Sequence, residues 1–187
     1  MLRDWLNRLM PSRRARAQPA QPPAPPAAAD RLIADGNRAE NDGRLRDACA
    51  LYHKAVDDAP GYARAHLNLG IGLEAIGDAE GALKSYDTAL ACDPADAYAN
   101  YNLAKLLSAR GELARAERLL GNALARKPDF TEACIVLSNV YDLQGNVAAA
   151  AASLEAALKQ RPDIAGAWHN YGVVLRKLDR LGDAIAA

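Results

Sequence analysis

The 187-residue sequence has no apolar run approaching the roughly 20 residues a membrane-spanning helix requires. It has no net charge either, so no chain-wide field draws it to nucleic acid or to an acidic membrane. Cysteine is scarce. Cys49, Cys92 and Cys134 lie far apart with no CxxC pair, a spacing that suits neither a zinc site nor a secreted disulfide framework. They read as three buried or half-buried thiols in a reducing compartment, and the expected location is the cytoplasm. Leu2 to Met10 is broken by Arg3, Asp4, Asn7 and Arg8, which the apolar core of a secretory signal does not tolerate. Aromatic residues are only 5% of the chain while alanine is plentiful, a balance that favours closely packed helices.

The chain divides by composition. Residues 1–28 read as a basic, amphipathic and Pro/Ala-rich tail. In it Leu2, Trp5, Leu6, Leu9 and Met10 fall on one helical stripe, followed by Arg13, Arg14 and Arg16. From Gln18 to Ala29 almost every residue is Pro, Ala or Gln, which predicts an extended, disordered linker. The segment Arg3 to Arg16 sums to +4 (five arginines less Asp4), leaving about −4 for the remainder of a neutral chain. The tail suits either weak peripheral membrane contact or a mobile terminus.

Beyond the tail the punctuation is periodic. Pro60, Pro94, Pro128 and Pro162 recur every 34 residues, as do Gly43, Gly77, Gly111 and Gly145. Ala48, Ala82, Ala116, Ala150 and Ala184 keep the same interval, and so do Ala55, Ala89, Ala123 and Ala157. A fixed period of this length signals a solenoid of supersecondary units. Glycine ends one helix in a left-handed turn, proline follows the second, and the alanines stand where backbones approach closely. Helices are predicted in pairs over 30–42 with 45–58, 63–76 with 79–92, 97–110 with 113–126 and 131–144 with 147–160. A further helix is expected over 165–178. In the second unit Leu67, Leu69, Ile71, Leu73 and Ile76 serve one helix, and Leu83, Tyr86 and Leu90 the other.

These columns resemble the tetratricopeptide repeat, whose pattern reads His66, Leu69, Gly70, Leu73, Ala82, Tyr86, Ala89 and Pro94 in the second unit. The first unit reads Leu32, Asp35, Gly36, Ala39, Ala48, Tyr52, Ala55 and Pro60. The resemblance covers 29–187, as units 29–62, 63–96, 97–130, 131–164 and an incomplete 165–187. It implies an all-α, right-handed superhelical solenoid of antiparallel helix pairs. Asp179 stands where a turn glycine is expected, and no polar capping helix follows, so a longer natural form is expected.

In this family the first helix of each pair lines a concave groove. One column here reads Ala34, Asn68, Asn102, Val136 and Asn170. An amide offers both donor and acceptor, the match for an extended peptide backbone, and the column is similar to the asparagine ladder of O-linked N-acetylglucosamine transferase arms. The same asparagines also suit bonds to neighbouring helices or water. Tyr98, Tyr101 and Lys105 are expected to join the peptide-binding face, as are Asn37, Asn139, His169 and Arg176. A carboxylate clamp of the kind that chaperone-binding members use is not expected. Asn37 and Asn68 match its asparagines, but Ile33, Tyr98 and Asn102 hold its basic positions.

Catalytic signals are missing. Gly70-Ile-Gly72-Leu-Glu-Ala75 approximates a nucleotide fingerprint but lies inside a repeat helix rather than after a strand. His53, His66 and His169 stand on different units without partnered nucleophiles, and no cofactor or metal site is expected. An acidic array does not suit RNA, so nucleic acid is not an expected partner. The expected function is a protein- or peptide-binding scaffold that is not itself an enzyme. The alternative is the substrate-recognition arm of a longer protein glycosyltransferase. Self-association through the uncapped fifth unit is a further possibility.

Overall fold

The computed structural model describes residues 26–178. The tail's amphipathic stripe, its basic run, Asp179 and Ala184 lie outside the described residues. Among those described are nine helices and no strand. They are α1 (Ala27–Asn41), α2 (Leu45–Asp58), α3 (Ala63–Ala75), α4 (Ala79–Cys92), α5 (Ala97–Ala109), α6 (Leu113–Arg126), α7 (Thr131–Leu143), α8 (Val147–Gln160) and α9 (Ala165–Lys177). Each odd helix from α1 to α7 packs against the even helix that follows, and each pair stacks on the next, with α9 packed on α8.

The first helix begins earlier than the linker reading allows. Ala27 to Ala29 are helical after Pro26, and Ala29 is fully buried. Alanine favours helix and proline is tolerated at a helix entry, so the last alanines of the Pro/Ala tract join the array instead of the linker.

The 34-residue punctuation has a common geometry. Gly43, Gly77, Gly111 and Gly145 all take φ between 75° and 87°, a region costly for other residues. At each, the amide after the glycine reaches back five residues, as Asp78 N does to Leu73 O at 2.8 Å. The glycine amide itself reaches back three, as Gly77 N does to Glu74 O at 3.0 Å. These two bonds form a Schellman cap, closing the first helix and releasing the chain into the second. Ala59, Asp93, Lys127 and Arg161, each preceding a proline, leave the helical region with φ from −131° to −140°. A following proline disfavours helical backbone, so the second helix stops there.

The loop prolines are also tethered. Pro60 O is bound by His66 Nε2 at 2.7 Å, Pro94 O by Asn100 Nδ2 at 3.0 Å and Pro162 O by Trp168 Nε1 at 2.8 Å. These three donors occupy one column of the repeat. Cys134 holds that column in the fourth unit, and there Gln160 Nε2 reaches Pro128 O from the last residue of α8 at 2.8 Å.

The core is a strip between the two helical layers, and it takes in Cys49 and Cys134 but not Cys92, which is exposed at the end of α4 against the expectation of three covered thiols. The alanines of both columns are at most 1% exposed wherever described. Large side chains fill the space between them, with Tyr52, Tyr86, Leu120 and Leu154 wholly buried. Ile76 differs from the reading that placed it among the apolar residues serving its helix. It caps α3 and is 42% exposed, because the Schellman turn rotates it off the buried stripe.

Candidate functional site: the inner face of the helix stack

Successive odd helices touch across the stack, α1 with α3, α3 with α5 and α5 with α7, whereas the even helices are held further apart. The odd helices therefore form the inner, concave layer. Helical spacing puts Tyr98, Tyr101, Asn102 and Lys105 of α5 on one stripe of that layer.

Two notches open on it. The first, about 290 Å³, is lined by Ile71, Glu74, Ala75, Tyr86, Asn102 and Lys105. The second, about 70 Å³, includes Asn139, Asp142, Leu154, Asn170 and Val173. The two are repeat equivalents. Adding two periods of 34 turns Ile71, Glu74, Tyr86, Asn102 and Lys105 into Asn139, Asp142, Leu154, Asn170 and Val173. Each notch thus sets an asparagine across from a carboxylate on the preceding odd helix. The larger depression, about 460 Å³, lies at the α1–α2 turn beside Gly43, Arg46 and Ile76. Its Arg44 is bound by Asp42 at 2.9 Å and Asp47 at 3.4 Å, so that guanidinium is already answered.

The inner-face charges are paired from repeat to repeat. Arg64 meets Asp30 at 3.3 Å, Lys105 meets Glu74 at 2.7 Å and Lys177 meets Asp142 at 2.6 Å. Tyr62 also donates to Asp30 and Tyr86 to Glu74. Burial pushes the Tyr86 phenol well above its usual range, and the Glu74 carboxylate adds to the effect. It therefore stays a donor. The pairing thus engages the Lys105 ammonium with Glu74.

The residues singled out from sequence fall into distinct settings. Asn102 lines the first notch, and Asn139 and Asn170 line the second together. Asn68 is half-buried on α3 and donates to Arg64 O of its own helix at 2.8 Å, which satisfies one N–H and accounts for an amide inside a helix. Asn37 accepts from the Tyr52 hydroxyl at 2.7 Å. His169 and Arg176 are exposed on α9 and join neither notch.

Tyr98 and Tyr101 converge on Phe130, with ring centroids 5.2 and 4.8 Å apart. Lys127 lies over this cluster and donates to the Tyr98 hydroxyl at 2.9 Å. The sequence reading missed Glu74, Asp142, Lys127 and Phe130. The two acids were visible as a shared column, and Phe130 as the single phenylalanine. Lys127 sits in a loop, where periodicity says nothing about which rings it will meet.

Among the described residues no cluster of His, Cys, Asp or Glu is arranged to hold a metal. No described helix is long and apolar enough to cross a membrane.

No curated protein sequence matches the chain. Solved structures do, with low identity. The Pseudomonas aeruginosa PilF structure aligns over 85% of this chain and 72% of its own, with a TM-score of 0.78 and 22% identity. MamA from Desulfovibrio magneticus RS-1 aligns over 87% and 92%, with a TM-score of 0.76 and 18% identity. YrrB, a TPR protein with an unusual peptide-binding site, aligns over 84% and 81%, with a TM-score of 0.71 and 22% identity. At these identities the likeness establishes the fold. Models of the tetratricopeptide repeat match residues 33–97, 73–133 and 107–170, and with the repeated glycine turns, tethered prolines and alanine contacts they show that the chain belongs to the tetratricopeptide repeat family.

Proposed function

We propose that this chain is a noncovalent protein-binding scaffold that takes an extended peptide along the inner face of its odd helices. The observation that carries this reading is the pair of equivalent notches, one at α3/α5 and one at α7/α9, each with an asparagine opposite a carboxylate. An amide supplies donor and acceptor together, so Asn102 and Asn170 suit main-chain groups of many sequences, while the notch walls accept side chains. YrrB, of the same fold, has a peptide-binding site, which supports the reading by analogy. The acidic balance of the array argues against nucleic acid as the partner. We place the scaffold in the cytoplasm and read it as non-enzymatic, with the basic tail free to make weak membrane contact.

Selection of a displayed random-peptide library on the full chain tests this. The Asn102→Ala/Asn170→Ala variant should lose the selected peptides while keeping its helical circular dichroism. Equal retention by the variant overturns the reading.

A second reading rests on Asn68, Asn102 and Asn170 sharing one register on α3, α5 and α9, interrupted by Val136 on α7. In it the groove is the substrate-recognition arm of a longer protein glycosyltransferase. The parent reading frame decides between them: a nucleotide-sugar-binding domain downstream selects the arm, and a stop codon selects the free-standing scaffold.

A further inference from the structure

Next to the first notch the inner face carries a chemically different feature. Phe130 is only 4% exposed and forms the floor, while Tyr98 is 49% exposed and Tyr101 is half-buried beside it. A cation already occupies this aromatic platform. The Lys127 ammonium lies 4.8 Å from the Tyr98 ring centroid and 4.6 Å from that of Phe130. Ring faces carry negative electrostatic potential and attract cations at this distance. Lys127 comes from the loop after α6 on a flexible four-carbon stem, and its ammonium donates to the Tyr98 hydroxyl. It is therefore a displaceable occupant rather than a buried strut.

The surroundings favour positive charge. Asp129 and Glu132 flank Phe130 and help hold the Lys127 ammonium above its usual pKa, after the bond to Tyr98. Glu132 lies 4.0 Å from the nearest guanidinium nitrogen, that of Arg161, and is more than half exposed. The nearest inner-face cation, Lys105, is engaged by Glu74. Because Tyr98 and Tyr101 share a helical stripe with Asn102 and Lys105, a peptide that continues along that stripe from the first notch meets the platform.

We propose that the Tyr98–Tyr101–Phe130 platform is a specificity site for an arginine side chain of the bound peptide, with Lys127 as a built-in competitor that leaves when arginine enters. Arginine fits better than lysine, because its planar guanidinium stacks on rings, is more weakly hydrated, and keeps N–H groups free for Glu132. This rests on the peptide-groove reading and adds a selectivity that reading does not require.

The test uses the full chain and three pools of fluorescently labelled nonapeptides. All positions are randomised except the central one, fixed as Arg, Gln or Lys. The Arg pool is expected to bind about fivefold more tightly than the Gln pool, the scale of a partly exposed cation–π contact, with Lys between them. Tyr98→Leu should weaken the Arg pool more than the Gln pool and so bring the two level, and since Tyr98 is half exposed its loss spares the core. Lys127→Ala should strengthen the Arg pool, and the Lys pool to a lesser degree, relative to the Gln pool. Equal Arg and Gln binding by the unaltered protein overturns the platform but leaves the groove standing. Weaker Arg-pool binding by Lys127→Ala also overturns it, because Lys127 would then be a contact and not a competitor. If no pool binds, the platform falls together with the groove.

Discussion

At the scale of single residues, the repeat is governed by one pair of positions. A Cβ added to Gly70 would stand 2.4 Å from Tyr86 Cε1, and one added to Gly36 would stand 2.4 Å from Tyr52 Cε1. In the next two units the small position is Ala104 and Ser138, and the large one has become Leu120 and Leu154. The loss of glycine that looks like a mild departure in sequence is thus matched by a smaller partner, since leucine lacks the ring edge that fills the space. Gly70→Ala should therefore destabilise the array by about 1–3 kcal/mol, the usual cost of overpacking a core. Adding Tyr86→Leu should recover a good part of that loss despite removing the bond to Glu74. Urea unfolding of the two singles and the double measures the coupling, expected to exceed about 1 kcal/mol. Strict additivity would mean that the ring moves aside freely and the pairing is incidental.

At the scale of elements, the helices and turns were legible because glycine, proline and alanine each do one backbone job that repeats every 34 residues. The observed bounds depart most where a neighbour decides, as at Ala27–Ala29 and at Ile76. Side-chain tethers between elements were not legible. His66, Asn100 and Trp168 share no property in a hydropathy pattern, yet each puts an N–H on a loop proline carbonyl six residues back. In the fourth unit the substitute donor, Gln160, lies 26 residues beyond the empty column at Cys134, too far for any local motif to reveal. Gln160 also accepts from the Thr131 hydroxyl at 3.0 Å, and Thr131 is 2% exposed. Gln160→Ala should accordingly cost about 1 kcal/mol, whereas Lys159→Ala, exposed one residue earlier, should stay within about 0.5 kcal/mol. Thermal melts of both variants check this, and equal melting temperatures would show the tether to be idle. The candidate site was legible only in part. The asparagine register was visible, but Asn37 and Asn68 prove to be partly occupied by bonds within the array, and a sequence cannot show which amides remain available.

At the scale of the whole molecule, two consequences follow from stacking. The first concerns alkali. Tyr52, Tyr62, Tyr86, Tyr101 and Tyr141, with Cys49 and Cys134, are all pushed above their usual pKa values, each chiefly by burial. A raised pKa in the folded state means that the folded chain holds its protons where the unfolded chain releases them. Their contribution is fully present below the unfolded values, about 8.5 for thiols and about 10 for phenols, and is lost as pH climbs through the folded ones. The melting temperature should therefore fall progressively above about pH 9. A Cys49→Ala/Cys134→Ala variant should keep the part of the fall that begins near pH 10. A flat profile to pH 11 would show that these phenols and thiols titrate alike in both states.

The second consequence is metric. The two notches are separated by two repeats, and adjacent packed helices lie roughly 8–10 Å apart, so the notches should be roughly 16–20 Å from one another. An extended peptide advances about 3.3 Å per residue, so side chains seated in both should be about five or six positions apart. Peptides selected on the full chain should show two preferred positions at that interval. Duplicating residues 97–130 in place adds one helix pair between the notches while preserving every turn and tether of the pattern, as expected for an array in which each unit contacts only its neighbours. The separation then becomes roughly 24–30 Å and the preferred interval about eight or nine. Repeating the selection on the lengthened array separates two cases. An interval that grows by about three means the peptide lies along the stack and reads both notches. An unchanged interval means that one notch, or a surface outside the groove, holds the whole peptide.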